Sequence, residues 1–119
     1  MRRRVLIVDD HASFRRLAAR VLEESGFAVV GEAADAAAAL DEVERLQPDV
    51  VLLDIMLPDR SGIAVAQELG RRASPPRVVL TSSRSRSDFG TTFEWPIGCN
   101  FVPKHELSGA ALAAVLRRP

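Results

Sequence analysis

A chain of 119 residues is long enough to bury one hydrophobic core without disulfides, and it is short for two ordinary domains. Its hydrophobic share of 47% and charged share of 27% are typical of globular proteins and exclude the disordered and fibrous classes. The 16 basic side chains balance 16 acidic ones, so direct binding to nucleic acid or to an anionic membrane is not expected.

Two local signals bear on the compartment. The single cysteine, Cys99, has no partner for an internal disulfide and no Cys/His cluster to share a zinc ion, which favours a reducing environment. The basic start at 2–4 resembles a signal peptide, but Asp9 and Asp10 interrupt the apolar run that follows. No run approaches the roughly 18 apolar residues of a membrane helix. We therefore expect a cytoplasmic protein with no membrane segment.

In chain order, short apolar runs alternate with amphipathic segments. The runs are β-branched and lack strict alternation, which is typical of strands buried on both faces of a parallel sheet. The predicted strands cover residues 5–8, 27–30, 50–53, 78–80 and 101–102. This order predicts an open parallel α/β sheet with right-handed crossovers, formed by one domain over residues 1–119.

Four of the intervening segments have the spacing or end signals of helices. The first ends at Gly26, and Pro48 stops the second. Asp35 and Ser108 are placed to cap the second and the last helix. The apolar stripe of the first consists of Phe14, Leu17, Ala18, Val21 and Leu22. The stripe of the third, predicted to run to about residue 72, consists of Ile63, Ala66 and Leu69.

The segment 82–98 lacks such signals. Its serines, together with Gly90 and Pro96, disfavour a helix, so a weak or irregular fourth helix is expected here. Its aromatic residues form either a partner-binding patch or, as we favour, a loop packed onto the core. These residues are Phe89, Phe93 and Trp95.

Polar residues follow the predicted strands where each one ends. Ligands of open parallel sheets bind beyond the carboxyl ends of the strands, and there the sequence has Asp9, Asp10, Asp54, Thr81 and Lys104. Three carboxylates at one rim need a positive charge among them. A magnesium ion, which prefers oxygen ligands, is the natural candidate.

Lys104 would supply the second positive charge at this rim. Lys104 is the only lysine among the 16 basic residues, and the other 15 are arginines. A compact lysine ammonium cannot be replaced at such a site by the longer, forked guanidinium of arginine without changing its reach and shape. Between two cations, the carboxylate of Asp54 can act as a nucleophile toward phosphorus, and Thr81 can hydrogen-bond a phosphoryl oxygen. The rim therefore predicts phosphoryl transfer to Asp54.

Four segments resemble the signature stretches of response regulator receiver domains, and the similarity covers nearly the whole chain. They are Val5 to His11, Asp54 to Gly62, Val78 to Ser82, and Phe101 to Lys104. The resemblance implies a flavodoxin-like (βα)5 fold with a five-stranded parallel sheet in the order 2-1-3-4-5. It also implies a phosphorylation-dependent switch of a two-component system that is not an enzyme beyond its own phosphotransfer and dephosphorylation.

The same resemblance assigns roles to residues and partners. Asp54 would be the phosphoacceptor, with Lys104 and Thr81 assisting. Asp10, Asp54 and the Met56 carbonyl would bind Mg²⁺ directly, and Asp9 would act through a water. Thr81 and Phe101 would reorient on phosphorylation. The implied partners are a sensor histidine kinase or phosphotransfer protein as donor, a downstream protein, and a second copy in a homodimer.

The sequence departs from the family pattern beside the lysine. Many receivers follow the lysine with a proline in a cis bond, whereas here Pro103 precedes Lys104 and His105 follows it. This variant resembles the receivers of DNA-binding regulators.

Other functions remain open at this stage. The chain is either a switch without an output domain or the regulatory half of a truncated transcription factor, and a phosphorylation-independent pseudo-receiver is a further alternative. An aspartate-based phosphatase is disfavoured because Met56 stands where a second carboxylate would act as acid or base. His11, beside the acidic pair, is either a metal ligand or base or, as we favour, a residue at the helix entry. His105 is expected at the surface.

Overall fold

The sheet has five parallel strands in the order β2-β1-β3-β4-β5. The structure, a computed structural model, describes residues 2–84, 86–90, 94–96 and 98–118. The strands are β1 (Arg4–Val8), β2 (Ala28–Ala33), β3 (Val50–Asp54), β4 (Arg77–Thr81) and β5 (Asn100–Phe101). The helices are α1 (Ala12–Glu24), α2 (Ala36–Leu46), α3 (Gly62–Gly70) and α4 (Gly109–Leu116). The predicted sheet and strand order are confirmed.

Each face of the sheet carries its own hydrophobic core. Alternate residues of a strand point to opposite faces, so Leu6 and Val8 of β1 pack with α2 and α3, whereas Val5 and Ile7 pack with α1 and α4. All five residues of β3 are buried. Burial on both faces explains why the strands appear in the sequence as continuous apolar runs.

Helix α1 confirms the predicted end and corrects the predicted stripe. Gly26 has φ +94° and follows the C-cap, as expected for a C′ glycine. Ala18 and Leu22 are fully buried, but Leu17 is 57% exposed, so its place in the stripe was wrong. Adjacent helical residues are separated by about 100°, and the face centred on Ala18 and Leu22 turns Leu17 toward solvent.

The predicted caps of α2 and α4 are both present. Asp35 accepts a hydrogen bond from the Ala38 N–H at 2.8 Å, and Ser108 accepts one from the Ala111 N–H at 2.9 Å. Helix α2 ends at Leu46, two residues before Pro48. Helix α3 ends at Gly70, before the predicted limit near residue 72.

The crossover between β4 and β5 has a short 3₁₀ turn, Arg86–Phe89, and no α-helix among its described residues. The irregular fourth helix was therefore predicted correctly. Phe93 lies outside the described residues. The predicted second strand began one residue early and ended three early, and the fifth was placed one residue late. In the described part of the chain, no helix combines the length and apolarity needed to cross a membrane.

Candidate functional site

The carboxyl ends of the strands bring the predicted residues to one rim. Asp9 follows β1, and Asp54 and Thr81 are register partners at the ends of β3 and β4. Beyond β5, the Lys104 N–H donates to the Ser82 carbonyl at 2.9 Å, which extends the pairing and carries Lys104 to the same rim.

Lys104 joins two buried carboxylates. Its Nζ lies 2.6 Å from Asp9 Oδ2 and 3.3 Å from Asp54 Oδ2. Asp9 is 0% and Asp54 1% exposed, so both charges are removed from water. The ammonium also lies 4.8 Å from the centre of the Phe14 ring, a cation–π distance. Three residues that are far apart in the sequence thus form one ionic cluster.

Burial governs the protonation of this cluster. Burial raises the pKa of Asp54 above its usual value, and the Met56 N–H and the charge of Lys104 oppose this only in part. For Lys104, burial alone would lower the pKa, but the hydrogen bond to Asp9 and the charges of Asp54 and Asp9 outweigh it and raise the pKa. The pKa values of Asp54 and Lys104 are therefore set by their burial and by the charges of the same cluster.

The turn after β3 orients Asp54. Its Oδ1 accepts a hydrogen bond from the Met56 N–H at 3.0 Å, and the Gly62 N–H donates to the Ile55 carbonyl at 2.8 Å. A Cβ atom at position 62 would overlap the carbonyl oxygen of Asp54. Glycine is thus required there because α3 begins against the backbone of the nucleophile candidate.

Asp10 and His11 complete the cluster on its open side. His11 Nδ1 lies 3.1 Å from Asp9 Oδ1 and 3.1 Å from Asp10 Oδ1. One ligand atom each from Asp9, Asp10, His11 and Asp54 lies within 4.8 Å of the others. His11 is the N-cap residue of α1, as expected for a helix-entry position, but its side chain makes no cap hydrogen bond.

The residues present fit a divalent cation. Three carboxylates face one ammonium, which leaves an excess of negative charge, and two of them are buried. The Thr81 Oγ1 is also buried and has no hydrogen-bond partner among the described residues. Buried polar atoms without partners are rare in folded proteins, and a water or an ion commonly provides the partner. The roles predicted for these residues, including Mg²⁺ binding by the Met56 carbonyl, remain predictions.

Phe101 is the buried centre of an aromatic group. Its ring centre lies 4.9 Å from that of Trp95 and 6.0 Å from that of Phe89, both edge to face. Packing of the loop onto the core, the favoured interpretation of Phe89 and Trp95, is confirmed. His105 is exposed, as predicted, and the described residues contain no cis peptide bond.

Sequence reasoning missed the role of Asp59. Its carboxylate accepts the Ala36 N–H at 2.8 Å and the Ala37 N–H at 3.0 Å, and so joins the loop after β3 to the start of α2. The Ala36 N–H, supported by that of Ala37, lowers the pKa of Asp59 although partial desolvation opposes it. In the sequence, Pro58-Asp59 indicates only a turn, because the partners lie more than 20 residues away.

Comparison with known proteins agrees with this geometry. The family model of the response regulator receiver domain matches residues 5–105. The transcriptional regulatory protein PdtaR of Mycobacterium tuberculosis is 42% identical over 84 residues, which are 71% of this chain and 41% of that protein. The DNA-binding response regulator MtrA of Mycobacterium leprae is 43% identical over 90 residues, 74% of this chain and 39% of that protein. The chain thus spans about two fifths of these two relatives.

Solved structures show the same architecture. The signal receiver domain of NarL from Mycobacterium tuberculosis has a TM-score of 0.77 at 33% identity, with 98% of each chain covered. A CheY-like receiver domain from Methylobacillus flagellatus has a TM-score of 0.81 at 22% identity, with 98% of each covered, and supports the fold alone. The flavodoxin-like, CheY-like fold and the matched family model lead to one conclusion: the chain belongs to the response regulator receiver domain family.

Proposed function

We propose that the chain is a phosphorylation-dependent switch in which Asp54 accepts a phosphoryl group. The observation that carries the proposal is the buried carboxylate of Asp54, held between the Met56 N–H at 3.0 Å and the Lys104 ammonium at 3.3 Å. Receiver domains are regulatory parts of two-component systems that histidine kinases phosphorylate and that act on downstream effectors. For this chain, the proposed donor is a sensor histidine kinase or a phosphotransfer protein.

In the proposed reaction, a carboxylate oxygen of Asp54 forms a bond to phosphorus. The bond between phosphorus and the donor's leaving atom breaks, and its electron pair stays with the donor. Lys104 neutralises charge on the phosphoryl oxygens, for which its ammonium is already positioned. Thr81 donates its buried hydroxyl to one of these oxygens and so gains a partner that it lacks among the residues described in the structure.

Asp10, Asp54 and the Met56 carbonyl would hold Mg²⁺ directly, with Asp9 acting through a water. When bound, the ion supplies charge neutralisation at the transferred group. Asp9 keeps a second function that needs no ion, because its Oδ2 binds the Lys104 ammonium and holds it beside Asp54.

The proposed output follows from the position of Thr81. On this proposal Thr81 moves toward the phosphoryl group, and Phe101, the register partner of the preceding Leu80, reorients from its packing on Trp95 and Phe89. Reorientation of Phe101 would change the surface around the β4–β5 crossover, where a downstream protein or a second copy would bind. Residues 1–119 are taken as one receiver domain, which stays a prediction.

Intact-mass measurement after incubation with acetyl phosphate and Mg²⁺ tests the proposal. We expect one added phosphoryl group, removed by hydroxylamine, absent from Asp54→Asn and retained by Asp41→Asn, a matched control at an exposed position of α2. If folded wild-type protein keeps its unmodified mass at a saturating concentration of acetyl phosphate, the proposal is wrong and a phosphorylation-independent pseudo-receiver is favoured.

The relatives favour a second candidate function, in which this receiver is one part of a longer protein. PdtaR is named a transcriptional regulatory protein and MtrA a DNA-binding response regulator, and the chain spans about two fifths of each. On this proposal the receiver is the regulatory half of a transcription factor, and DNA is bound by another part. The length of the natural gene product distinguishes this candidate from a receiver that acts without an output domain.

A further inference from the structure

The imidazole of His11 faces the acidic cluster rather than the start of α1. Its Nδ1 lies 3.1 Å from one oxygen of Asp9 and 3.1 Å from one oxygen of Asp10, and its side chain makes no cap hydrogen bond. The side chain of His11 is 66% exposed, and the contact of its Nδ1 with Asp9 Oδ1 has the length of a hydrogen bond, so the ring reaches both water and the carboxylates.

The spacing of these atoms is that of ligands around a metal ion. Neighbouring octahedral ligands with bonds of about 2.0–2.2 Å lie roughly 2.8–3.1 Å apart, and opposite ligands lie roughly 4.0–4.4 Å apart. The 3.1 Å contact between His11 Nδ1 and Asp10, a proposed direct ligand, matches the first spacing, and the 4.8 Å span of the whole set exceeds the second only slightly. Lys104 binds Oδ2 of Asp9, while Oδ1 of Asp9 accepts the His11 N–H at 2.8 Å and lies beside the His11 ring.

An imidazole changes which cations a carboxylate site prefers. Mg²⁺ prefers oxygen ligands, whereas Co²⁺, Ni²⁺ and Zn²⁺ gain from a nitrogen ligand. We infer that His11 is a metal ligand and that it shifts the selectivity of the rim toward divalent cations that accept nitrogen. This inference rests on the proposed metal site, to which it adds one residue and a preference among cations.

Isothermal titration calorimetry of the full chain with Co²⁺ and Mg²⁺ tests the inference. We expect His11→Ala to weaken Co²⁺ binding about tenfold or more and to change Mg²⁺ binding by less than about threefold. The matched control is His105→Ala, which removes the other histidine from an exposed site beside Glu106 and leaves both affinities unchanged.

A spectroscopic measurement identifies the ligand directly. In the NMR spectrum of the Co²⁺-loaded chain, an imidazole bound through Nδ1 should give a strongly shifted ring N–H signal that exchanges with solvent. We expect this signal in the wild type and in His105→Ala, and its absence from His11→Ala.

The possible outcomes separate this inference from the proposed function. If His11 is only a positive partner of the carboxylates, its removal strengthens binding of both cations alike, and the inference is wrong. It is equally wrong if both affinities stay unchanged while Asp54→Asn abolishes binding, a result that leaves the proposed metal site intact. Absence of Co²⁺ and Mg²⁺ binding by the wild type would overturn both.

Discussion

The first half of the sheet consists of β2, β1 and β3, and the second half consists of β4 and β5. Different kinds of contact stabilise the two halves. In the first half the strands have five or six residues, and all five residues of β3 are buried. In the second half the outer strand has only two residues, and a 3₁₀ turn is the regular element described in the crossover.

Side chains supplement the short backbone pairing between β4 and β5. The Arg77 guanidinium donates to the carbonyls of Leu116 and Val115 at 3.1 and 3.3 Å and to Asn100 Oδ1 at 3.0 Å. It therefore connects the start of β4 with β5 and with the end of α4, where helix carbonyls lack internal partners. Phe101, the other residue of β5, packs against the ring of Trp95.

The site lies across the boundary between these halves. Asp9, Asp10 and Asp54 belong to the first half, whereas Thr81 and Lys104 belong to the second. A well-packed half thus holds the acidic cluster, Thr81 ends a strand that pairs with it along its whole length, and Lys104 follows a strand that pairs over only two residues. Regions with few buried contacts open at low free energy, which suits a switch.

The largest expected difference between the halves is in hydrogen exchange. Amides of Val50 to Leu53 should exchange at least about 1,000-fold more slowly than those of residues 86–90, since local opening costs far less than global unfolding. Beryllofluoride with Mg²⁺, a mimic of the phosphoryl group, should slow exchange in the crossover. Equal protection in both regions and in both states would show that the crossover is as well packed as β3.

A substitution at Gly62 tests the packing at the boundary. Gly62→Ala should lower the free energy of unfolding by about 1–3 kcal/mol, because its Cβ overlaps the backbone of Asp54. The matched control Gly70→Ala, at the other end of α3, has open space around its Cβ and should be neutral or stabilising. Urea denaturation of both variants measures the difference, and equal stabilities would contradict the predicted close approach.

The contacts of Arg77 should contribute more to the free energy of unfolding than the partial exposure of this side chain suggests. Arg77→Ala should cost about 1–2 kcal/mol, since several carbonyl groups lose a charged donor. Arg20→Ala, at an exposed position of α1, should change stability by less than about 0.5 kcal/mol. A fall in the denaturation midpoint with Arg77→Ala but not with Arg20→Ala is expected, and indistinguishable midpoints would show that β5 is held by other contacts.

The smallest effect concerns Asp59 and should stay within the first half. Hydrogen bonds from Ala36 and Ala37 lower the pKa of Asp59, so its contribution is complete above the unfolded-state pKa of about 3.9 and is lost as pH falls through the lower folded value. Asp59→Asn should therefore lower the free energy of unfolding slightly at pH 7. The variant should then lose less stability than the wild type as the pH falls, because the ionisable carboxyl group is gone. Thermal melts of both proteins between pH 7 and pH 3 measure this, and parallel pH dependences would contradict it.

Local patterns determined much of the architecture in advance. Continuous apolar runs identify strands buried on both faces because a parallel sheet has no solvent face, and caps such as Asp35 and Ser108 depend on residues three positions away. The rim residues were identified for a similar reason. Chain direction alone places Asp9, Asp54 and Thr81 at one edge once the strands are parallel.

The failures occurred where a strand or a helix face depends on its neighbours. The end of β2 follows its pairing with β1 as far as Ala33, beyond its own apolar run. Leu17 is apolar but exposed, because the packing of Ala18 and Leu22 against the sheet sets the rotation of α1.

The sequence by itself determined the fold class, the helix caps and the set of acidic, hydroxyl and lysine side chains at the rim, because each depends on local pattern and strand direction. Only the tertiary structure decided that Lys104 binds Asp9 as well as Asp54, that Asp59 holds the start of α2, and that His11 faces the carboxylates. The first two contacts join residues far apart in the chain. His11 adjoins Asp9 and Asp10 in the sequence, which placed it beside the acidic pair, but the direction of its ring is a property of the folded backbone that no local pattern specified.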